Sequence, residues 1–255
     1  MAIFDTHAHY MKSDYGDELD ALLESMPGRG VERILAIGVD IPSSEEEIAL
    51  AEKYSFVYAA AGFHPEHAAE IPENWESELE RLLAHEKVIA LGEIGLDYHY
   101  PEPPHDVQQK IFRRQLEIAN KRNMPVVIHS RDASGDTLEI LKEYKPKGVL
   151  HCFSGSAETA CEVVKLGMYV GFTGVLTFKN SKKAWTACEA VPIDRLLLET
   201  DCPYMAPVPH RGEKSESSMI KFTAAKMAEI KGVSTEEMIE IARENGERLF
   251  FNGKN

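Results

Sequence analysis

A chain of 255 residues is close to the size at which one eight-stranded α/β barrel closes, and its 44% hydrophobic and 27% charged content is that of an ordinary globular protein. No apolar run approaches the roughly 20 residues of a membrane helix, and Met1-Ala2-Ile3-Phe4-Asp5 has neither a basic leader nor a long apolar segment, so neither a membrane partner nor a secretory signal is expected. The formal net charge of −14 argues against a basic nucleic-acid coat protein, while an enzyme that meets phosphates through metal cations and a few local bases stays open.

In chain order, short apolar segments at 3–9, 33–39, 57–64, 88–96, 125–130, 148–153, 168–174 and 196–204 read as strands. Their nearly continuous hydrophobicity fits parallel strands buried on both faces. Amphipathic stretches near 17–28, 43–54, 74–86, 106–123, 134–144, 156–167, 181–190 and 218–231 read as helices, with an extra one at 234–250. Within 106–123, Val107, Ile111, Phe112, Leu116 and Ala119 fall on one side of a 3.6-residue period. Ser43 with Glu46, and Ser234 with Glu237, have capping-box spacing, and Gly167 and Gly232 sit where helix ends are expected. Glu45-Glu46-Glu47 and Glu236-Glu237 read as solvated first turns, where negative charge meets the helix dipole favourably.

Serial strand–helix units imply right-handed parallel crossovers, compatible with an open doubly wound sheet or a closed barrel. The count of eight favours a (β/α)8 TIM barrel, with 1–255 forming one domain free of linkers and repeats. Cys152, Cys161, Cys188 and Cys202 form no Cys-x-x-Cys pair and lie in apolar segments, as expected of buried, reduced thiols in a cytoplasmic protein.

The chain holds ten histidines, and His7, His9, His64, His129 and His151 fall at the C-terminal ends of expected strands. Glu93 and Asp201 occupy equivalent places. Taken singly, each of these reads first as a core histidine or a capping carboxylate. All seven at the same end of the strands is a different matter, because a barrel gathers those ends around one opening. Burying such a cluster without a cation is costly. His7-Ala8-His9 adds weight, since side chains two apart on a strand share a side and can address one metal. The mixed nitrogen and oxygen set suits zinc or manganese and tolerates magnesium. Six candidate ligands exceed the needs of one tetrahedral ion, so two divalent ions are expected, bridged by Glu93.

The sequence resembles the TatD family of metal-dependent deoxyribonucleases, a branch of the amidohydrolase-like barrels. The matching stretches are Asp5-Thr6-His7-Ala8-His9, Gly62-Phe63-His64-Pro65 and Leu91-Gly92-Glu93-Ile94-Gly95-Leu96-Asp97-Tyr98. They continue through Pro125-Val126-Val127-Ile128-His129-Ser130-Arg131, His151-Cys152-Phe153-Ser154-Gly155 and Gly171-Phe172-Thr173-Gly174. Leu198-Glu199-Thr200-Asp201-Cys202-Pro203-Tyr204 and Asn245 near Arg248-Leu249-Phe250 complete the set. The resemblance implies metal ligands at His7, His9, Glu93, His129, His151 and Asp201. It also implies substrate-side roles near His64 and in the 171–180 loop, and DNA, as single-stranded or frayed ends, as the substrate. One departure stands out: after Arg211-Gly212 the family commonly carries Asn-Glu-Pro, where this chain has Ser215-Glu216-Ser217. That change bears on local packing and substrate contacts and leaves the metal ligands untouched.

On this reading His7, His9 and Asp201 serve one ion, His129 and His151 a second, and Glu93 both. Asp201 takes the proton of the attacking water, with Glu93 as the second catalytic carboxylate. His64, Arg131, Lys179 and Arg211 are candidates to grip phosphates, and Tyr98 and Phe178 to stack on a base. For the first four a solvated surface charge or a structural hydrogen bond is an equal alternative, and for Phe178 ordinary packing is the favoured one. No Gly-x-x-x-x-Gly-Lys loop or Gly-x-Ser-x-Gly elbow supports an NTPase or serine hydrolase. The strand-end residues do not by themselves separate a deoxyribonuclease from an esterase acting on a lactone or an aminoacyl-tRNA. A non-catalytic metal-binding barrel is a third reading, which the full ligand set opposes. The surface carries no readable pattern of association, which leaves the oligomeric state open, a monomer included.

Overall fold

Eight parallel strands run in chain order around a ring in the computed structural model, which describes residues 2–251. They are β1 (Ile3–Ala8), β2 (Val31–Ile37), β3 (Val57–Ala61), β4 (Val88–Asp97), β5 (Val126–Arg131), β6 (Gly148–Leu150), β7 (Tyr169–Phe172) and β8 (Leu196–Leu198). Each pairs with the next in sequence. The last gap is bridged by a parallel contact between Ala8 and Cys202. There the His9 amide donates to the Cys202 carbonyl (2.8 Å), and the Asp201 amide donates to the His7 carbonyl (2.9 Å). The expected (β/α)8 barrel is therefore the observed one, and closure itself brings His7, His9 and Asp201 side by side.

The connecting helices are α1 (Lys12–Tyr15), α2 (Leu19–Ser25), α3 (Ile41–Lys53), α4 (Trp75–Leu82), α5 (His105–Arg122), α6 (Ser134–Tyr144), α7 (Ala157–Lys165), α8 (Lys182–Ala190), α9 (Ile220–Lys231) and α10 (Thr235–Phe250). Alternation along the strands divides the core in two. Phe4, Leu35, Ile37, Ala60, Ile89, Val127, Val149, Tyr169 and Leu197 form a cluster that draws on all eight strands, and such a cluster fills the lumen. Ile34, Ala59, Val126, Ile128, Val170 and Leu198 belong to the larger cluster shared with the helices. Phe250, at the end of α10, packs against Phe4 with ring centroids 6.0 Å apart and closes the N-terminal floor of the barrel.

Past their strand ends the chains run out of ladder partners, and helix α5 supplies them. Gln115 receives the Phe63 amide (2.8 Å) and donates to the Phe63 carbonyl (3.0 Å). Gln108 does the same for Asp97, at 2.8 Å each way. Buried backbone groups need such partners, so these two amides fix the mouth ends of β3 and β4.

Several local expectations need correction. Helix α3 begins earlier than 43, because Asp40 caps it by accepting the Ser43 amide, so Ser43 is inside the first turn rather than at its cap. Glu47 is not solvated: it is fully buried and accepts the Tyr10 amide at 2.8 Å. The expected helix 17–28 breaks into α2 and two flanking 3-10 turns. Ser234 does cap α10 by accepting from the Glu237 amide. The four cysteines are free, but only Cys188 and Cys202 are buried, while Cys152 lines a cavity. No helix among the described residues is long and apolar enough to cross a membrane.

Candidate metal centre

At the C-terminal mouth a cavity of about 730 Å³ is walled by His9, His64, Glu93, His129, His151 and Asp201 among others. The Nε2 atoms of His7 and His9 are 3.1 Å apart, and Asp201 Oδ1 lies 3.6 and 3.5 Å from them. Glu93 sits between two groups. Its Oε2 faces His7 Nε2 (3.4 Å) and His9 Nε2 (3.8 Å), whereas its Oε1 faces His151 Nε2 (2.7 Å) and His129 Nδ1 (2.8 Å). Three donor groupings tight enough for a cation result: His7 with His9 and Asp201, His7 with Glu93 and His151, and His64 with Glu93 and His129.

The outer nitrogens of His9 and His129 are held in turn, and a carboxylate stands near that of His151. His9 Nδ1 meets the Ile37 carbonyl at 2.9 Å, which leaves a lone pair on Nε2 when the ring is neutral. Asp97 Oδ2 holds His129 Nε2 at 2.9 Å, so this ring turns its Nδ1 toward Glu93. Glu199 receives the Cys152 amide and brings Oε1 within 3.7 Å of His151 Nδ1. Sequence reasoning passed over Asp97 and Glu199 as supports. The signal was present: residues 93, 95 and 97 share one side of β4, and Glu199 comes two residues before Asp201 in the strand expected at 196–204.

Burial alone would push Glu93 up, but His151, His7 and His129 outweigh it and hold the carboxyl well below its usual range. Asp201 is likewise lifted by burial and pulled below its usual range by His9 and His7. Burial opposes the charge on His9 and His129, yet Asp201 acting on the first and Asp97 with Glu93 on the second raise both to about 9. His7 is driven down to about 4 by burial and by His151. Without a cation, then, protons on His9 and His129 balance the carboxylates. Some groups still lack partners: His7 Nδ1, His151 Nδ1 and Glu199 Oε2 are buried with none. A set of imidazole and carboxylate donors in this state fits divalent ions well.

The remaining expected residues divide. His64 is buried in the wall, with Nε2 3.7 Å from Glu93 Oε1 and Nδ1 accepting the Glu66 amide (3.2 Å). Arg131 is on the rim with its guanidinium 5.6 Å from the Tyr100 ring. Lys179 and Arg211 are exposed and stand outside the cavity wall, and Arg211 covers Phe178 at 4.2 Å. Tyr98 is already engaged, stacked on His105 at 3.6 Å and donating to Asp136 (2.8 Å). The Ser215-Glu216-Ser217 segment is firmly packed: Ser217 Oγ meets Tyr10 Oη at 2.7 Å and Arg29 donates to Glu216 at 2.8 Å. Ser215 Oγ, by contrast, is buried without a hydrogen-bond partner.

A family profile described as TatD related DNase matches residues 4–251. The chain belongs to this family. Among TatD relatives, the metal-dependent hydrolase YabD of Bacillus subtilis, itself uncharacterized, is 43% identical over 97% of this chain and 98% of its own. Deoxyribonuclease Tat-D of Schizosaccharomyces pombe is 33% identical over 88% of this chain and 76% of its own. The crystal structure of YJJV, a TatD homologue from Escherichia coli, superposes with a TM-score of 0.91 at 30% identity, covering 97% of both chains. Its TatD membership makes the chain a metal-dependent hydrolase on a TIM-barrel scaffold.

Proposed function

We propose that the chain is a deoxyribonuclease that hydrolyses phosphodiester bonds at single-stranded or frayed DNA ends with two divalent ions. The observation that carries this reading is the division of Glu93, one oxygen toward His7 and His9 and the other toward His129 and His151. His7, His9 and Asp201 would hold one ion, His129 and His151 the second, and Glu93 both. An ion held there, magnesium, manganese or zinc, would supply Lewis-acid chemistry toward a phosphoryl oxygen and would lower the pKa of bound water. The relative named as a deoxyribonuclease supports the substrate assignment.

The chain's own groups then have distinct tasks. Asp201 borders the cavity with its carboxylate ionised, so it can accept the proton of the attacking water. His64 is held neutral by burial, and because its Nδ1 accepts the Glu66 amide, its proton sits on Nε2. That makes His64 a neutral donor to a phosphate oxygen. Arg131 adds the one guanidinium on the wall and suits a two-point hold on phosphate. Lys179 and Arg211, outside the wall, would meet only a strand that extends past the mouth. The four free cysteines fit a reducing compartment such as the cytoplasm.

The test is an end-labelled oligodeoxynucleotide incubated with chelated protein and with protein reloaded with Mg²⁺, Mn²⁺ or Zn²⁺. Shortening from an end that requires metal and is lost in Glu93→Ala supports the reading. Turnover of carboxylic or aminoacyl esters with DNA left whole contradicts it.

A further inference from the structure

Apolar side chains left in water are expected to scatter over a surface, and a local concentration marks a contact site. Among the described residues the exposed large hydrophobic side chains are Tyr100 (51%), Tyr204 (58%), Met205 (40%) and Val208 (43%). The first three line the candidate active-site cavity, and Val208 lies in the same loop as Tyr204 and Met205. Tyr100 follows β4 and Tyr204 follows β8. Those strands are four places apart in a ring of eight, so the two rings rise from opposite sides of the mouth. Arg131 stands over the Tyr100 ring, which keeps a cation beside it.

The charge on this wall offers little to a phosphate backbone. Beyond the inner imidazoles and carboxylates it presents Asp14 and Glu66 against the His67 imidazole and a single guanidinium, Arg131. A groove that tracks nucleic acid by its backbone is lined with lysine and arginine, and this one is not. Bases, in contrast, carry π-faces that stack on aromatic rings whatever their sequence.

We propose that Tyr100 and Tyr204 are jaws that grip the unpaired terminal nucleobase of the strand, so that the enzyme selects its substrate by stacking rather than by backbone charge. This rests on the nuclease reading above and adds the residues that set its specificity. A base stacked on either ring at the rim would place its phosphodiester in the cavity that His64 and Glu93 also line. Duplex ends, whose bases stack on each other, are refused until they fray.

The experiment compares a short oligodeoxynucleotide with an oligomer of the same length built from abasic tetrahydrofuran units, both offered to the metal-loaded enzyme. Wild type favours the base-bearing oligomer by about tenfold or more in kcat/KM, the scale of one stacking contact. Tyr100→Ala and Tyr204→Ala bring that ratio toward one, mainly through KM, while Tyr100→Phe and Tyr204→Phe, which keep the ring, preserve it. Equal turnover of both oligomers by wild type, or an undiminished ratio in both alanine variants, overturns the jaws and leaves the nuclease reading standing. Cleavage of neither oligomer by an enzyme active on esters overturns both.

Discussion

The two ends of the barrel are built by opposite rules. The floor is apolar and satisfied: Phe4 packs on Phe250 and Phe251, Phe251 meets Tyr58 at 4.8 Å, and the Asn245 amide reaches the Ile193 and Leu196 carbonyls at 2.9 Å each. At the mouth, imidazoles and carboxylates are crowded within 4 Å and buried polar atoms lack hydrogen-bond partners, an arrangement that costs stability. The contrast teaches that the floor supplies stability and the mouth consumes it to hold donors ready for cations.

Substitutions at the two ends should therefore fail differently. At the mouth, Asp201→Asn is expected to lower kcat by about 10²–10⁴, the contribution of a general base, with far-UV circular dichroism unchanged. Full activity in that variant would remove Asp201 from the chemistry. At the floor, Phe250→Ala should cost about 3–5 kcal/mol in chemical denaturation, as an emptied core site does. The fraction that stays folded should still take up metal; a variant of wild-type stability but without metal uptake would erase the distinction between the ends.

A smaller effect probes the supports of the mouth. Asp97→Asn removes the acceptor that turns His129 Nδ1 toward Glu93, and metal affinity measured by calorimetry should weaken by about 10–100-fold. Unchanged affinity would reduce Asp97 to a packing residue.

The smallest expected effect is one of pH. His9 and His129 are raised to about 9 in the fold, where their carboxylate partners overcome burial, against about 6.5 when unfolded. Their stabilisation is complete below pH 6.5 and is lost as pH climbs through 9. Glu47, raised to about 8 by burial, and Asp5, raised to about 7 for the same reason, act in the same direction, since the unfolded chain ionises them sooner. The metal-free melting temperature should fall from pH 6.5 to 9. If ions bound at His9 and His129 displace these protons, the gain in melting temperature on adding Mn²⁺ should grow over that window. A gain that stays flat with pH would mean that the rings do not bind the ion.

The sequence exposed the mouth more readily than its supports. Eight apolar segments, each followed by a helix, announced the barrel, and His7-Ala8-His9, His129, His151, Glu93 and Asp201 stood out because chemistry-bearing residues all fell at one end of the strands. Glu47 escaped because an acidic triplet near a helix start looks solvated, and only the approach of the Tyr10 amide shows that the third member is buried. Asp97 and Glu199 escaped because a lone carboxylate near a turn reads as a cap until its histidine is located. Lys179 and Arg211 were beyond periodicity altogether, since loop paths decide whether a cation faces the cavity. Tyr100 and Tyr204 carry meaning only through their exposure, which no sequence pattern reports.

Metal-soaked crystals measured by anomalous diffraction address the pairing of cations most directly. The account predicts two peaks per chain, one within coordination distance of Glu93 Oε2, His7 and His9, the other of Glu93 Oε1, His129 and His151. A single peak, or a pair that leaves Glu93 uncoordinated, would contradict it.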